Sequence, residues 1–423
     1  MQSRTLLTAM LLLALAGGAW AQNHDEAFLL GETTIQLLKG NGSFTTLYNN
    51  PGYAYDIDID VDNRHVVFGD STLDGWFRLD PATSVVTTIV VDTATFATPG
   101  EILIDHKGDY IVTSGNSSSI QGIYRISGTT VTTIAQTSSM GISGFFTSGM
   151  VRDVDDGNFV LQVYNRTTSP MISMAPDGTF TTIIATTSAT GAPRYEFTQD
   201  IRSGDFLVGC LDTGSLQGTL IRVVKSGTST IVATSTSRYT YTALAADRCS
   251  AVSPRLVHPH YDAQSSTSSL NYTDMATYSL TTLAVSGNII LSRGIAFYRG
   301  RNIQSVSTTP GVYILNFSFP GFGGKGYAAA LSLSGVRPGI PLPDGRKILL
   351  NPDWLTTLTL TNALPLLFSF GPGILDAGGE AKGYLDVRSL PVLGFTVHLA
   401  AAVLDPQAPG QIAVIADPWV MPL

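Results

Sequence analysis

From about residue 26 onwards the chain alternates short apolar runs with clusters of Gly, Asp, Asn and Ser. Runs of about six residues that alternate with period two between such turn clusters predict β-strands, not helices. One element recurs: an apolar strand ending in Asp, a polar turn, and an aromatic residue or His that opens the next strand. It reads Asp60-VDNR-His65, Asp105-HKGD-Tyr110, Asp153-VDDGN-Phe159 and Asp200-IRSGD-Phe206, so second strands start at steps of 45, 49 and 47 residues. A hairpin follows each time, at Ile35-QLLKGNGSFTTLY, Phe77-RLDPATSVVTTIV, Tyr124-RISGTTVTTIA, Ile172-SMAPDGTFTTII and Ile221-RVVKSGTSTIVA. Two degenerate copies continue after Asp247-RCSAV and after the strand Gly294-IAFY, near Asn302.

Four strands in every 40 to 50 residues is the content of one propeller blade, and a single blade cannot bury both of its faces. The expected fold is all-β: a six-bladed β-propeller followed by a C-terminal β-sandwich. Residues 26 to 48 supply outer strands without an inner one, and joining them to a C-terminal inner strand closes a ring of six. Seven blades is the alternative, because Gly311-VYILNF offers a third strand for a further repeat. The period stops at Pro320-GFGGKG. The expected division is therefore a propeller over 22–319, a Gly-rich linker over 320–326 and a sandwich over 327–423. Within the last, Tyr327-AAALSLSG, Arg346-KILL, Leu355-TTLTLT, Leu366-LFSF, Ala381-KGYLDV, Phe395-TVHLAAAVLD and Ile412-AVIAD all read as strands.

Residues 1–21 change the picture of where the protein works. Arg4, an apolar run from Leu6 to Ala16 and Ala19-Trp20-Ala21 have the layout of a signal peptide, too short to span a bilayer. The expected location is secreted, periplasmic or cell-surface, with no transmembrane segment after cleavage. Cys210 and Cys249 are then one pair that an oxidising compartment can join, or two free thiols. The formal charge is −8, and loss of Arg4 with no acid takes the mature chain to −9. Without a basic stripe to release counterions, nucleic acid is excluded as a partner.

Chemistry-bearing clusters are few. Asp56, Asp58, Asp60 and Asp62 alternate with Ile57, Ile59 and Val61, which puts the four acids on one side of a strand. A cation can relieve such a ladder, but Asp60 and Asp62 sit where turn residues cap backbone amides. His258-Pro-His260-Tyr-Asp262 has metal-ligand spacing, and Pro259 suggests an extended surface loop after a second strand. No G-x-S-x-G elbow accompanies the 6 histidines, and Gly321-FGGKG lacks the phosphate-loop pattern. Arg152, Arg194, Arg238 and Arg293, with Tyr53, Tyr195 and Tyr239, fall near the starts of inner strands. Such a rim can clamp a carbohydrate, a peptide or another small molecule with aromatic faces and forked guanidinium donors.

The pattern in Gly100-EILIDHKGDYIVTSG and Ser148-GMVRDVDDGNFVLQ resembles the NHL-type and SMP-30/gluconolactonase-type propellers. That resemblance implies the fold over about 26–318. It also implies that a divalent cation, such as Ca²⁺, would be held by a Glu, an Asn and an Asp from different blades. Glu101 matches the position of that Glu, and Asn165 and Asp212 are the corresponding choices for the other two. The tail, with Leu350-NPD, Gly373-ILDAGGEA and Val403-LDPQAPG, resembles a C-terminal module of exported planctomycete-type bacterial proteins. These resemblances set two functions side by side. One is an exported or cell-envelope binding protein that takes a small molecule, carbohydrate or protein on the propeller face. The alternative is a metal-dependent, SMP-30-like lactonase or ester hydrolase.

Overall fold

A computed structural model describes residues 27–31, 34–38, 43–49, 56–62, 64–92, 95–96, 98–116, 119–141, 145–164, 170–185, 197–200, 203–211, 217–235, 245–247, 255–262, 267–275, 277–286, 294–297, 302–363, 365, 367–389 and 394–423. Ile57–Asp60, His65–Asp70, Gly75–Leu79 and Val86–Val91 form a four-stranded antiparallel meander. The arrangement recurs over 98–136, 145–184, 197–234 and 245–286, with one bridge joining the 98–136 and 145–184 meanders. One more sheet is assembled from both ends of the propeller segment. Gly294–Phe297 pairs with Ala27–Leu30, which pairs with Thr34–Leu38 and then Phe44–Asn49. The first strands of these sheets are neighbours in cyclic order: Ile57–Asp60, Thr98–Ile104, Phe145–Arg152, Phe197–Gln199, Ala245–Asp247, Gly294–Phe297, and back to the first. This is a β-propeller.

Alternation along each strand feeds two cores at once. Val66 and Phe68 pack with Ile57, Ile59, Phe28 and Leu30 on one side, and Val67 packs with Trp76, Ile102 and Val112 on the other. Each such side chain contributes about 1.5–3 kcal/mol when buried, and a sheet gains on both faces only between two neighbours. The outermost strands carry a one-residue register shift at Leu47, Ile89, Ile134, Ile183, Val232 and Leu283, which in all but the fifth case follows a Thr-Thr pair. Bulges there twist the exposed edges away from further strand pairing.

Two strands that the spacing assigns to the end of the propeller leave it. Ile303–Thr309 and Val312–Ser318 pair with each other and then with Glu380–Asp386. That sheet shares one core with a second sheet of Gly373–Ile374, Gly326–Ser332, Thr396–Leu404, Ile412–Ile415 and Trp419–Pro422. Pro320–Gly326 is accordingly not a linker but a turn inside this domain. Phe319 is buried, its N–H donates to Gly379 O at 2.8 Å, and Gly324 N–H donates to Leu375 O at 3.1 Å. The run Leu355-TTLTLT is likewise a helix, α1 (Trp354–Leu360), and not a strand. Asp353 starts it with a capping box, accepting from Thr356 N–H at 3.0 Å while Thr356 Oγ1 accepts from Asp353 N–H at 3.1 Å.

The C-terminal domain is seated on the turns of the inner hairpins. Val61 N–H donates to Gln304 Oε1 at 2.8 Å, and Gln304 Nε2 donates to Asp60 Oδ1 at 3.3 Å. Arg64 meets Glu380 at 2.6 Å. Ser305 Oγ donates to His106 O and accepts from Trp419 Nε1–H, while the Arg152 guanidinium lies 4.2 Å from the centre of the Trp419 ring. Asp155 is paired with Arg337 and Lys225, and His398 Nε2 donates to its carbonyl oxygen at 2.9 Å. Val154, Val336, Leu349 and Val420 close the joint with a small apolar cluster.

Gly157, at φ 78°, turns the Asp153 hairpin, and a Cβ there would stand 3.1 Å from Pro422 Cδ. Gly157→Val therefore combines left-handed strain with a clash at the joint and is expected to lower stability by about 2 kcal/mol. Urea unfolding of the two proteins checks this. An unchanged midpoint would show that the turn and the joint relax freely.

Candidate functional site

The two ends of the inner strands differ in what covers them. Their C-terminal ends lead into the hairpin turns that carry the C-terminal domain. Their N-terminal ends, where Asp56, Thr98 and Phe145 lie, form the other face of the ring. Among the described residues, this second face carries its titratable chemistry on two adjoining inner strands.

Asp56 precedes the strand Ile57–Asp60, and its side chain accepts from Ile57 N–H at 2.7 Å and from Ile102 N–H of the neighbouring inner strand at 3.1 Å. It also shares a hydrogen bond with the Glu101 carboxyl. Two carboxyls can be joined in this way only if one keeps a proton. Burial raises the Asp56 pKa to about 7, and the nearby Asp58 charge pushes it the same way against the hydrogen bonds. Glu101 is buried where the inner strand bulges between Pro99 and Ile102, and its N–H donates to Thr113 Oγ1 at 2.7 Å. The bulge re-aims a side chain toward the neighbouring blade, a common use of such irregularities. The arrangement can hold or pass one proton between two blades.

The acid ladder is one-sided, as alternation predicts, and it faces the neighbouring blade. Asp58 is buried. Asp60 also reaches beyond its own turn: it accepts from Tyr110 O–H of the next sheet at 2.6 Å and from Gln304. The turn role holds for Asp105, which accepts from Lys107 N–H at 2.7 Å and Asp109 N–H at 3.0 Å, and for Asp153, which accepts from Asp155 N–H at 2.9 Å. Asp62 lies at the joint, 3.6 Å from Lys382.

Other expectations are corrected. Arg152 does not belong to the rim at the strand starts. Its strand begins as early as Phe145, so Arg152 ends it, at the joint beneath Trp419. His258, Pro259 and His260 lie within the strand Arg255–Asp262, not in a loop. Pro259 stands opposite Leu270 of the following strand, and the described part of the inner strand, Ala245–Asp247, pairs with 255–257. His258 is buried and its Nε2 lies 3.0 Å from Thr273 Oγ1. No group of three or more His, Cys, Asp or Glu among the described residues has the geometry to hold a metal ion. Cys210 is a buried free thiol whose pKa burial pushes up to about 12. The signal segment 1–21, Tyr53, Asn165, Arg194, Tyr195, Asp212, Arg238, Tyr239, Cys249 and Arg293 lie outside the described residues. What sequence reasoning missed is the partnership of Asp56 with Glu101, 45 positions apart. The one signal for it was the start of the acid ladder.

Because the folded state raises Asp56 above its ordinary value of 3.8, its contribution to stability is complete below about pH 4 and is lost as pH rises through about 7. Two buried histidines act in the opposite sense. Burial and the cations Arg152, Lys107 and Arg125 lower His106 to about 3, and burial lowers His398, so their contributions are lost as pH falls below 6.5. Comparing wild type with Asp56→Asn isolates the carboxyl. The variant is expected to lose less stability between pH 5 and pH 8 in urea titrations, and parallel pH profiles would refute the shared proton.

No family model matches the chain, and no curated protein matches it. Solved structures do. A chain of a nidogen/laminin complex aligns at 17% identity with a TM-score of 0.49, covering 64% of this chain and 97% of that one. TolB from Acinetobacter baumannii aligns at 12% identity and a TM-score of 0.47, covering 65% and 67%. A gluconolactonase from Xanthomonas campestris aligns at 12% identity and a TM-score of 0.39, covering 62% and 88%.

Proposed function

We propose that this protein is an exported, six-bladed propeller that binds its partner on the ring face opposite the C-terminal domain. The observation that carries the reading is the occupancy of the turn face. The domain sits on the hairpins at Asp60, Asp105 and Asp153, which favours the strand-start face as the one left for a partner. Cyclic order of the inner strands supports the count of six. The signal-like segment supports export, and no helix among the described residues is long and apolar enough to cross a membrane.

Tyr53, Arg194, Tyr195, Arg238, Tyr239 and Arg293 are the sequence positions proposed to grip the partner at this face. A neutral or anionic carbohydrate or peptide suits forked guanidinium donors beside aromatic rings. Asp56 and Glu101 lie deeper, as a proton-sharing pair between two blades. The lactonase reading places its metal on the same face, with Glu101, Asn165 and Asp212 as oxygen donors of the type a divalent cation takes. Bound there, the metal would supply an activated water. Glu101 has an acceptor's chemistry for that role, but its carboxyl is engaged with Asp56.

Two assays on the purified mature chain separate the readings. A carbohydrate array is expected to give binding that falls about tenfold in an Arg194→Ala, Arg238→Ala double variant, equivalent to about 1.4 kcal/mol. A lactone panel with added Ca²⁺, Mn²⁺ or Zn²⁺ is expected to show no turnover. Hydrolysis abolished both by chelation and by Glu101→Gln would replace the binding reading with the enzymatic one.

A further inference from the structure

The ring is not covalently closed. Its seam is the pairing of Ala27–Leu30 with Gly294–Phe297, two segments from opposite ends of the propeller. On one side of the seam the chain reaches Ile303, the first residue of the C-terminal domain's first strand, only six residues after Phe297. Such a tether spans at most about 20 Å. On the other side the same domain grips the sheet that follows the closing one, through Gln304 on Asp60 and Val61 and through Arg64 on Glu380. It continues along the ring to His106 and Lys107 by way of Ser305 and Ser307, and to Arg152 and Asp155 by way of Trp419, Arg337 and His398.

Gln304 shows how closely the domain is fitted to the ring. At the Asp153 turn, Gln199 of the next inner strand accepts from Val154 N–H at 2.9 Å and donates to Asp153 Oδ1 at 2.9 Å. At the Asp60 turn Gln304 accepts from Val61 N–H and donates to Asp60 in the same way. The residue of the next inner strand that corresponds to Gln199 there is Ile104, whose side chain has no polar atom to offer. The C-terminal domain thus supplies a bond that a blade supplies elsewhere.

We propose that the C-terminal domain is a clamp that holds the propeller ring shut across its seam. It straddles the closing sheet, tied by the chain to the inner strand on one side and by side chains to the next three sheets on the other. To part the seam, the ring must also strip the domain from the turns. Seam opening and domain release are therefore one event, whatever the ring binds.

Hydrogen exchange on the full mature chain tests this. In a Gln304→Ala, Ser305→Ala double variant, amides of 27–30 and 294–297 are expected to exchange at least tenfold faster. Those of 396–404, in the core of the C-terminal domain, stay protected and show that it is folded. Trp419→Phe keeps an aromatic ring over Arg152 but loses the N–H bond to Ser305, and should give a smaller rise at the same seam. If the turns at 60–62 and 105–109 exchange faster while the seam stays as protected as in wild type, the domain releases without loosening the ring and the proposal fails. It fails equally if neither variant speeds exchange at the turns, because the grip then does not rest on these contacts.

Discussion

The rest of the structure depends on how four buried aspartates are answered. The first four inner hairpins turn on an Asp, at 60, 105, 153 and 200, and all four are buried. A buried carboxylate is costly unless donors surround it. Asp105 draws donors from its own turn amides, with Arg125 3.4 Å away. Asp153 adds Gln199 from the next blade and Lys225 from the turn after Gly218–Val224. Asp60 takes a tyrosine from the next blade and a glutamine from the C-terminal domain. The turns that punctuate the repeat are thus also where blade meets blade and where domain meets domain.

Much of this organisation was legible in the sequence because it rests on period-two alternation and turn chemistry, both local. The repeat, the strand-Asp-turn signal and the joining of N-terminal outer strands to a C-terminal inner strand all follow from such patterns. What was not legible depends on partners far along the chain. Val312–Ser318 alternates as any blade strand does, and nothing within it says that Glu380–Asp386 will be its neighbour. Leu355-TTLTLT is rich in β-branched Thr, yet Asp353 caps it into a helix in which Thr359 Oγ1 donates to Leu355 O at 2.9 Å. The place of Arg152 was hidden because the length of its strand, and so the end at which it lies, is fixed by pairing and not by composition.

The candidate site shows the same division. Glu101 stands out in the sequence as an acid expected at the head of an inner strand, and it lies buried within the strand Thr98–Ile104. Its carboxyl partner comes from another blade, and only the packing of the two inner strands brings them together. Several acids and histidines that invite a metal reading are occupied by lysine, arginine, tyrosine or backbone partners. Asp153 and Asp155 share the Lys225 ammonium, so a protein cation stands between these two carboxylates.

The position of Gln304 has a consequence for how such a protein can be taken apart and recombined. The chain from 302 onwards has its own sheets and core and looks like a cassette, yet one of its side chains completes a blade. Exchanging it for an unrelated tail would take one bond from the Val61 amide and another from the Asp60 carboxylate inside the ring. Trimming it away would do the same. Position 104 offers no substitute from within the ring, because Ile104 is packed in the apolar core between two blades. The two halves form a single heritable unit, and a cut made where the repeat ends passes through the propeller's own bonding.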